Sequence, residues 1–204
     1  MWRRLRSPSG LTETYEDYAL IRLVAEYYQP GRFYHTMDHI EHCIAEFDGA
    51  RHLAMRPAEV EFALWFHDAI YDPLKKDNEE QSVLFALEIG RECGVPEDFL
   101  QRVGALIMET KHPSLPDNDD GRLIVDIDLA ILGQPEDVFD KYEENIRKEY
   151  SFVPEDVFRS KRAEILHSFL DRPSIYCTEF FRKKYEVQAR RNLQRSIQKL
   201  KSPS

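Results

Sequence analysis

Long apolar runs are missing from this sequence of 204 residues. No stretch of about 18 apolar residues occurs, so no membrane-spanning helix is expected. The first ten residues, Met1 to Gly10, are basic and polar with no apolar run behind them, which argues against a secretory leader. Cysteine is scarce. Cys43, Cys93 and Cys177 are far apart and odd in number, so neither a disulfide framework nor a cysteine-type zinc site is expected. They read as ordinary reduced thiols of a cytoplasmic protein, where disulfides are rare. Strand signals are also nearly absent, with no clear alternation of β-branched residues and no Asn-Gly hairpin word. Basic charge is in deficit: 28 Lys and Arg against 37 Asp and Glu give a formal charge of -9. Such a chain repels a nucleic-acid backbone, so binding to polymeric DNA or RNA is not expected. A small phosphate ligand stays open, because a bound cation reverses the field locally.

What is present is helical. A chain with 42% hydrophobic and 32% charged residues has a globular balance. Apolar residues at three- and four-residue spacing predict helices from Glu13 to Tyr28, from Met37 to Arg51 and from Pro57 to Tyr71. A fourth carries Ser82, Phe85, Ala86 and Ile89 and ends near Gly94, and a fifth runs from Pro96 to Thr110. Lys111 to Gly121 is rich in Pro, Asn and Asp and reads as a loop. Arg122 to Leu132 is helical, with Gly133 as its stop. Pro135 and Pro154, each followed by Glu-Asp, start two more helices, and Glu179 to Leu200 forms the last. No linker divides the chain. The expectation is an all-α fold in one helical domain, residues 1–204, with frayed ends near 1–10 and 201–204.

Three segments place chemistry on this frame. His35, His39 and His42 fall together, and His35 and His39 at four-residue spacing would share a helical face. That cluster alone is equally compatible with a polar face carrying ordinary histidines. The zinc-protease word needs Glu after the first His, where Thr36 stands. The second segment, Phe62 to Tyr71, is apolar on almost every face yet carries His67 and Asp68 side by side. An apolar helix is buried, and a buried carboxylate must be paired or bound to metal. A His–Asp hydrogen bond without metal is the plainer alternative. The third segment, Leu123 to Leu132, is interrupted by Asp126 and Asp128. Two residues apart is about 200° around a helix, so at most one of them is a direct ligand.

A His, a His-Asp pair and a distant Asp, in that order, resemble the HD-domain superfamily of metal-dependent phosphohydrolases, in particular its predicted members of about this length. The words that carry the resemblance are Arg32-Phe33-Tyr34-His35-Thr36-Met37-Asp38-His39, Phe66-His67-Asp68-Ala69-Ile70-Tyr71-Asp72 and Asp77-Asn78-Glu79-Glu80-Gln81-Ser82. They continue with Asp126-Ile127-Asp128-Leu129-Ala130-Ile131-Leu132-Gly133, Ile146-Arg147-Lys148-Glu149-Tyr150 and Ala189-Arg190-Arg191-Asn192-Leu193. The resemblance implies an all-helical fold with a metal between helices, held by His39, His67, Asp68 and Asp128. Tyr34-His35 with His39 four later is similar to the cyclic-nucleotide phosphodiesterase branch, which implies His35 as proton donor to a leaving group.

Two histidines and two carboxylates would leave coordination positions open, as in a catalytic site. Such a set suits Mn, Fe, Co, Ni or Zn, with Mg also allowed. The expected activity is hydrolysis of a small phosphorylated substrate, a nucleotide or related ester, by a metal-activated water. Asp68 and Glu79 join His35 as expected catalytic residues, with Glu79 orienting the water or binding a second metal. Arg32, Lys111 and His112 are expected phosphate contacts, while for Arg147, Arg162 and Arg190 ion pairing alone is the plainer reading. Two other readings remain: a metal- or nucleotide-binding regulatory protein without turnover, and a di-iron oxygenase, for which only His112 offers a further histidine between His67 and Asp128.

Overall fold

A computed structural model describes residues 13–111 and 115–202. Among these the chain is all-α, with no strand. Nine α-helices follow in order: α1 (Glu13–Tyr27), α2 (Met37–Ala50), α3 (Pro57–Phe66), α4 (Asn78–Glu92), α5 (Glu97–Glu109), α6 (Asp119–Asp128), α7 (Glu136–Glu149), α8 (Glu155–Leu170) and α9 (Glu179–Lys201). Short 3-10 segments, Arg51–Leu53 and Leu129–Gly133, follow α2 and α6. No described helix is long and apolar enough to cross a membrane. The chain separates into two compact units, Met1–Ile124 and Val125–Ser204, and the division falls within α6.

In the first unit α3 is the central element. Its residues from Glu59 to Phe66 are all buried, as its all-round apolar sequence requires. It packs against α2 and α5, and α5 packs in turn on α4. Each fully buried Leu or Phe here is worth about 1.5–3 kcal/mol. The two acids on α3 are neutralised where they are buried: Arg51 donates to Glu61 at 2.5 Å and Arg102 to Glu59 at 2.8 Å. Asp120, in the first turn of α6, accepts from the backbone N–H groups of Met55 and Arg56 and so holds the entry to α3.

The helix over 57–71 expected from sequence stops at Phe66. Its last carbonyls are taken by side chains from upstream. Tyr27 donates to Trp65 O at 2.8 Å, and Arg32 donates to Asp68 O at 2.7 Å and Ala69 O at 2.6 Å. Carbonyls captured in this way do not need a further helical turn. α4 ends as expected at Gly94, whose φ of 65° permits a 6→1 bond from Val95 N to Gly90 O. The start of α6 at Asp119 shortens the expected loop of 111–121, and the expected helix over 122–132 tightens to 3-10 geometry from Leu129.

In the second unit α9 packs on α8 and on the 3-10 segment Leu129–Gly133. Asn192, fully buried, donates to the carbonyls of Leu132 and Gln134 and ties that segment to α9. Gly133 ends it for a reason other than backbone handedness. A Cβ there would lie 2.4 Å from Tyr185 Cβ, so only glycine lets α9 approach. The arginines Arg147, Arg162 and Arg190 are staples of this unit. Arg147 donates to Tyr150 O, Val153 O and Glu155; Arg162 to Glu143 and Tyr142; Arg190 to Glu186 and to the carbonyls of Leu170, Arg172 and Pro173.

Candidate metal centre

α2 and the turn after α3 bring four polar side chains of the first unit together. His39 lies in the first turns of α2, 3% exposed, and His67 caps α3, 1% exposed. Their Nε2 atoms are 3.2 Å apart. Asp68 Oδ2 lies 3.3 Å from His39 Nε2 and 3.1 Å from His67 Nε2. Three donor atoms thus form a nearly equilateral triangle. Two donors about 2.1 Å from one ion are about 3.0 Å apart at a right angle and about 3.4 Å apart at the tetrahedral angle. The observed edges fall between these values, so the residues fit one cation without moving.

The orientation of His67 is fixed from behind. Its Nδ1 meets Leu64 O at 2.9 Å, and a carbonyl only accepts, so Nδ1 carries the proton and donates. In the neutral ring Nε2 then offers its lone pair toward His39 and Asp68. A metal-ligating histidine usually donates its other ring N–H to a carbonyl in this way, which fixes its tautomer and orientation. Burial alone would raise the Asp68 carboxyl. When His67 is instead protonated on both nitrogens, its charge and that of His35, with hydrogen bonds from His39 and His67, outweigh burial and hold Asp68 well below the carboxylate range.

A fourth group was not singled out by the spacing of the histidines. Cys43, fully buried, sits one turn beyond His39 on α2, with Sγ 3.7 Å from His39 Nε2 and 3.8 Å from its Nδ1. Ligand atoms of His39, Cys43 and His67 all lie within 4.8 Å of one another, and this buried cluster could hold a metal ion. The signal was available in the sequence, since positions 39 and 43 share a helix face.

His35 does not share a helix with His39. Thr36 is the N-cap of α2, so His35 belongs to the bend before it. Its ring still faces the cluster: it stacks on Tyr71 at 4.0 Å between centroids, meets Tyr34 edge-on at 5.0 Å and lies 6.2 Å from the His39 ring. Arg32, in the same bend, lies between the rings of Tyr27 and Tyr71, 5.3 and 5.6 Å from their centroids. Its guanidinium donates to His35 O at 3.0 Å as well as to Asp68 O and Ala69 O. It therefore grips both segments that carry the cluster. The word 77–82 works in the same way. Ser82 Oγ bonds both N and O of Ile70, and Asn78 bonds both N and O of Asp72, so α4 holds the turn after α3 in place.

Glu79 and Lys111 meet at the edge of this unit. Lys111 Nζ is 3.7 Å from Glu79, 2.5 Å from Glu80 and 3.0 Å from Lys76 O. The hydrogen bond to Glu80 raises the lysine and lowers that glutamate from their ordinary values. His112 lies outside the described residues. In the second unit, Asp126 is fully buried and its carboxylate is consumed: it accepts from Cys177 N at 2.6 Å, Thr178 N at 2.7 Å and Thr178 Oγ1 at 2.6 Å. Burial pushes it above the ordinary carboxylate value, against those hydrogen bonds. Asp128, the last residue of α6, is half-buried. Searches found no family model, curated protein or solved structure that matches this chain.

Proposed function

We propose that this chain is a metal-dependent phosphohydrolase of the HD type, acting on a small phosphate ester such as a nucleotide. The triangle of His39 Nε2, His67 Nε2 and Asp68 Oδ2 carries the reading, because its 3.1–3.3 Å edges match one cation and its imidazole is anchored for ligation. His39, His67 and Asp68 would hold the ion, and the sequence resemblance adds Asp128 of the second unit. A divalent cation there supplies Lewis acidity at a phosphoryl oxygen and makes water a better nucleophile. The chain's own residues supply the rest. Tyr71 stacks on His35 and fixes its ring, which suits His35 to protonate the leaving oxygen. Lys111 sits in an exposed ion pair of little net strength, so a phosphate can take it from Glu80 and release Glu79 with it.

The test is to strip the purified protein, reload it separately with Mn, Fe, Co, Ni, Zn or Mg, and assay each form against nucleotides and simple phosphate esters. Metal-dependent phosphate release is the expected result. Tight metal binding without turnover of any ester would make the chain a metal-binding protein of another kind.

A further inference from the structure

The sulfur of Cys43 lies in the core beside the His39 ring, 3.7 Å from Nε2 and 3.8 Å from Nδ1. It is fully buried, it shares a face of α2 with His39, and it points at that ring with Sγ 3.7 Å from Nε2. That nitrogen is the same atom that faces His67 and Asp68. A thiolate binds zinc-like ions at about 2.3 Å and an imidazole at about 2.1 Å, so S and N on one ion are about 3.6 Å apart at the tetrahedral angle and about 3.1 Å at a right angle. The observed separation matches the tetrahedral value. Sγ also lies within 4.8 Å of the ligand nitrogen of His67. Cys43 and His39 are one helical turn apart, so no backbone rearrangement is needed for both to serve one ion.

We infer that Cys43 is a ligand of the metal held by His39 and His67, making the centre a thiolate-containing one that selects soft or borderline ions. This deepens the metal-site reading above and rests on it. A thiolate donor disfavours Mg and Mn, which prefer oxygen ligands, and favours Zn, Co(II) and Fe(II). It also makes binding proton-coupled, since a thiol must lose its proton to ligate.

Cobalt is the probe, because a thiolate bound to Co(II) gives an intense sulfur-to-metal charge-transfer band in the near ultraviolet that His and Asp ligands do not give. Titrate the metal-free full-length protein with Co(II), alongside Cys43→Ser and Cys43→Ala. Thermal melts of the metal-free proteins show whether each variant is folded. The inference expects the band in the wild type, its loss in both variants, and a fall in Co(II) affinity at least matching the about 10–100-fold that outer-shell partners cost. Stoichiometric Co(II) binding without the band, at an affinity that the substitutions leave unchanged, overturns the inference while the His39/His67 centre stands. Failure of the wild type to bind Co(II) or Zn at all overturns both.

Discussion

The Nε2 atoms of His39 and His67 face each other at 3.2 Å inside the packing of α2 on α3, with Asp68 Oδ2 closing the third side. Two imidazole nitrogens at that distance repel unless a proton or a cation lies between them. A proton satisfies one pair, whereas a cation satisfies both and the carboxylate as well. Removing one member therefore takes away one of the three groups that a cation would satisfy together. That loss sharpens the difference between a ligand and a neighbour.

His39→Ala and His35→Ala should fail in different ways. The first removes a ligand, so metal content after dialysis should fall. The second should keep the metal and slow turnover of a natural alkyl ester by roughly 10²–10⁴-fold, the usual worth of a general acid. Because nitrophenolate leaves without much help, the His35 defect should shrink on nitrophenyl phosphate. Loss of metal in His35→Ala would make His35 a ligand, and full activity on alkyl esters would remove it from the chemistry.

Asp126 and Asp128 should separate cleanly. Asp126→Asn weakens three short hydrogen bonds at the start of α9 and should lower stability by about 1–3 kcal/mol in urea unfolding while metal content is retained. Asp128→Asn should lower metal content with a smaller effect on unfolding. An empty site in the Asp126 variant alone would exchange their roles.

Arg32→Lys should lower both melting temperature and metal affinity, although charge is conserved. The guanidinium spans the carbonyls of His35, Asp68 and Ala69 at once, and a single ammonium cannot reproduce that fork. Calorimetric metal titration and a thermal melt of the same sample check this. A variant with wild-type affinity would show that the cluster holds its own geometry.

Glu186 should make the second unit acid-labile. Burial would raise its carboxyl, but bonds from Ile175 N, Tyr176 N, Ser174 Oγ and Arg190 prevail and lower it below its ordinary value of 4.5. A carboxylate lowered on folding stabilises above its unfolded value and loses that contribution as pH falls through its folded one. Urea midpoints of the wild type should therefore drop between neutral pH and the acid range by more than those of Glu186→Gln. Parallel curves for the two proteins would assign the acid sensitivity elsewhere.

The helices were legible in the sequence wherever local chemistry decides them. Gly94 stops α4 because a left-handed residue is needed there, and α3 is buried on all sides because all its sides are apolar. What local chemistry does not decide was misread. The end of α3 depends on Tyr27 and Arg32, 38 and 36 residues upstream of the carbonyls they take. The role of Asp126 is set by partners 51 and 52 residues downstream. The four-residue spacing of His35 and His39 suggests one helix face, whereas Thr36 is the N-cap of α2 between them. Cys43 is invisible to the spacing of the three cysteines among themselves, because its partner is the histidine one turn away.

Arg32 grips positions 35, 68 and 69 by their backbone oxygens. Every residue has one, so the grip does not depend on which side chain stands at 35, 68 or 69. Chemistry and scaffold are thus written in separate alphabets at this place. Substitution can change which side chains the bend presents without unfastening it, while the residue that fastens it is excluded from that variation. On the proposed function, the leaving-group acid at position 35 is therefore exchangeable without unfastening the bend.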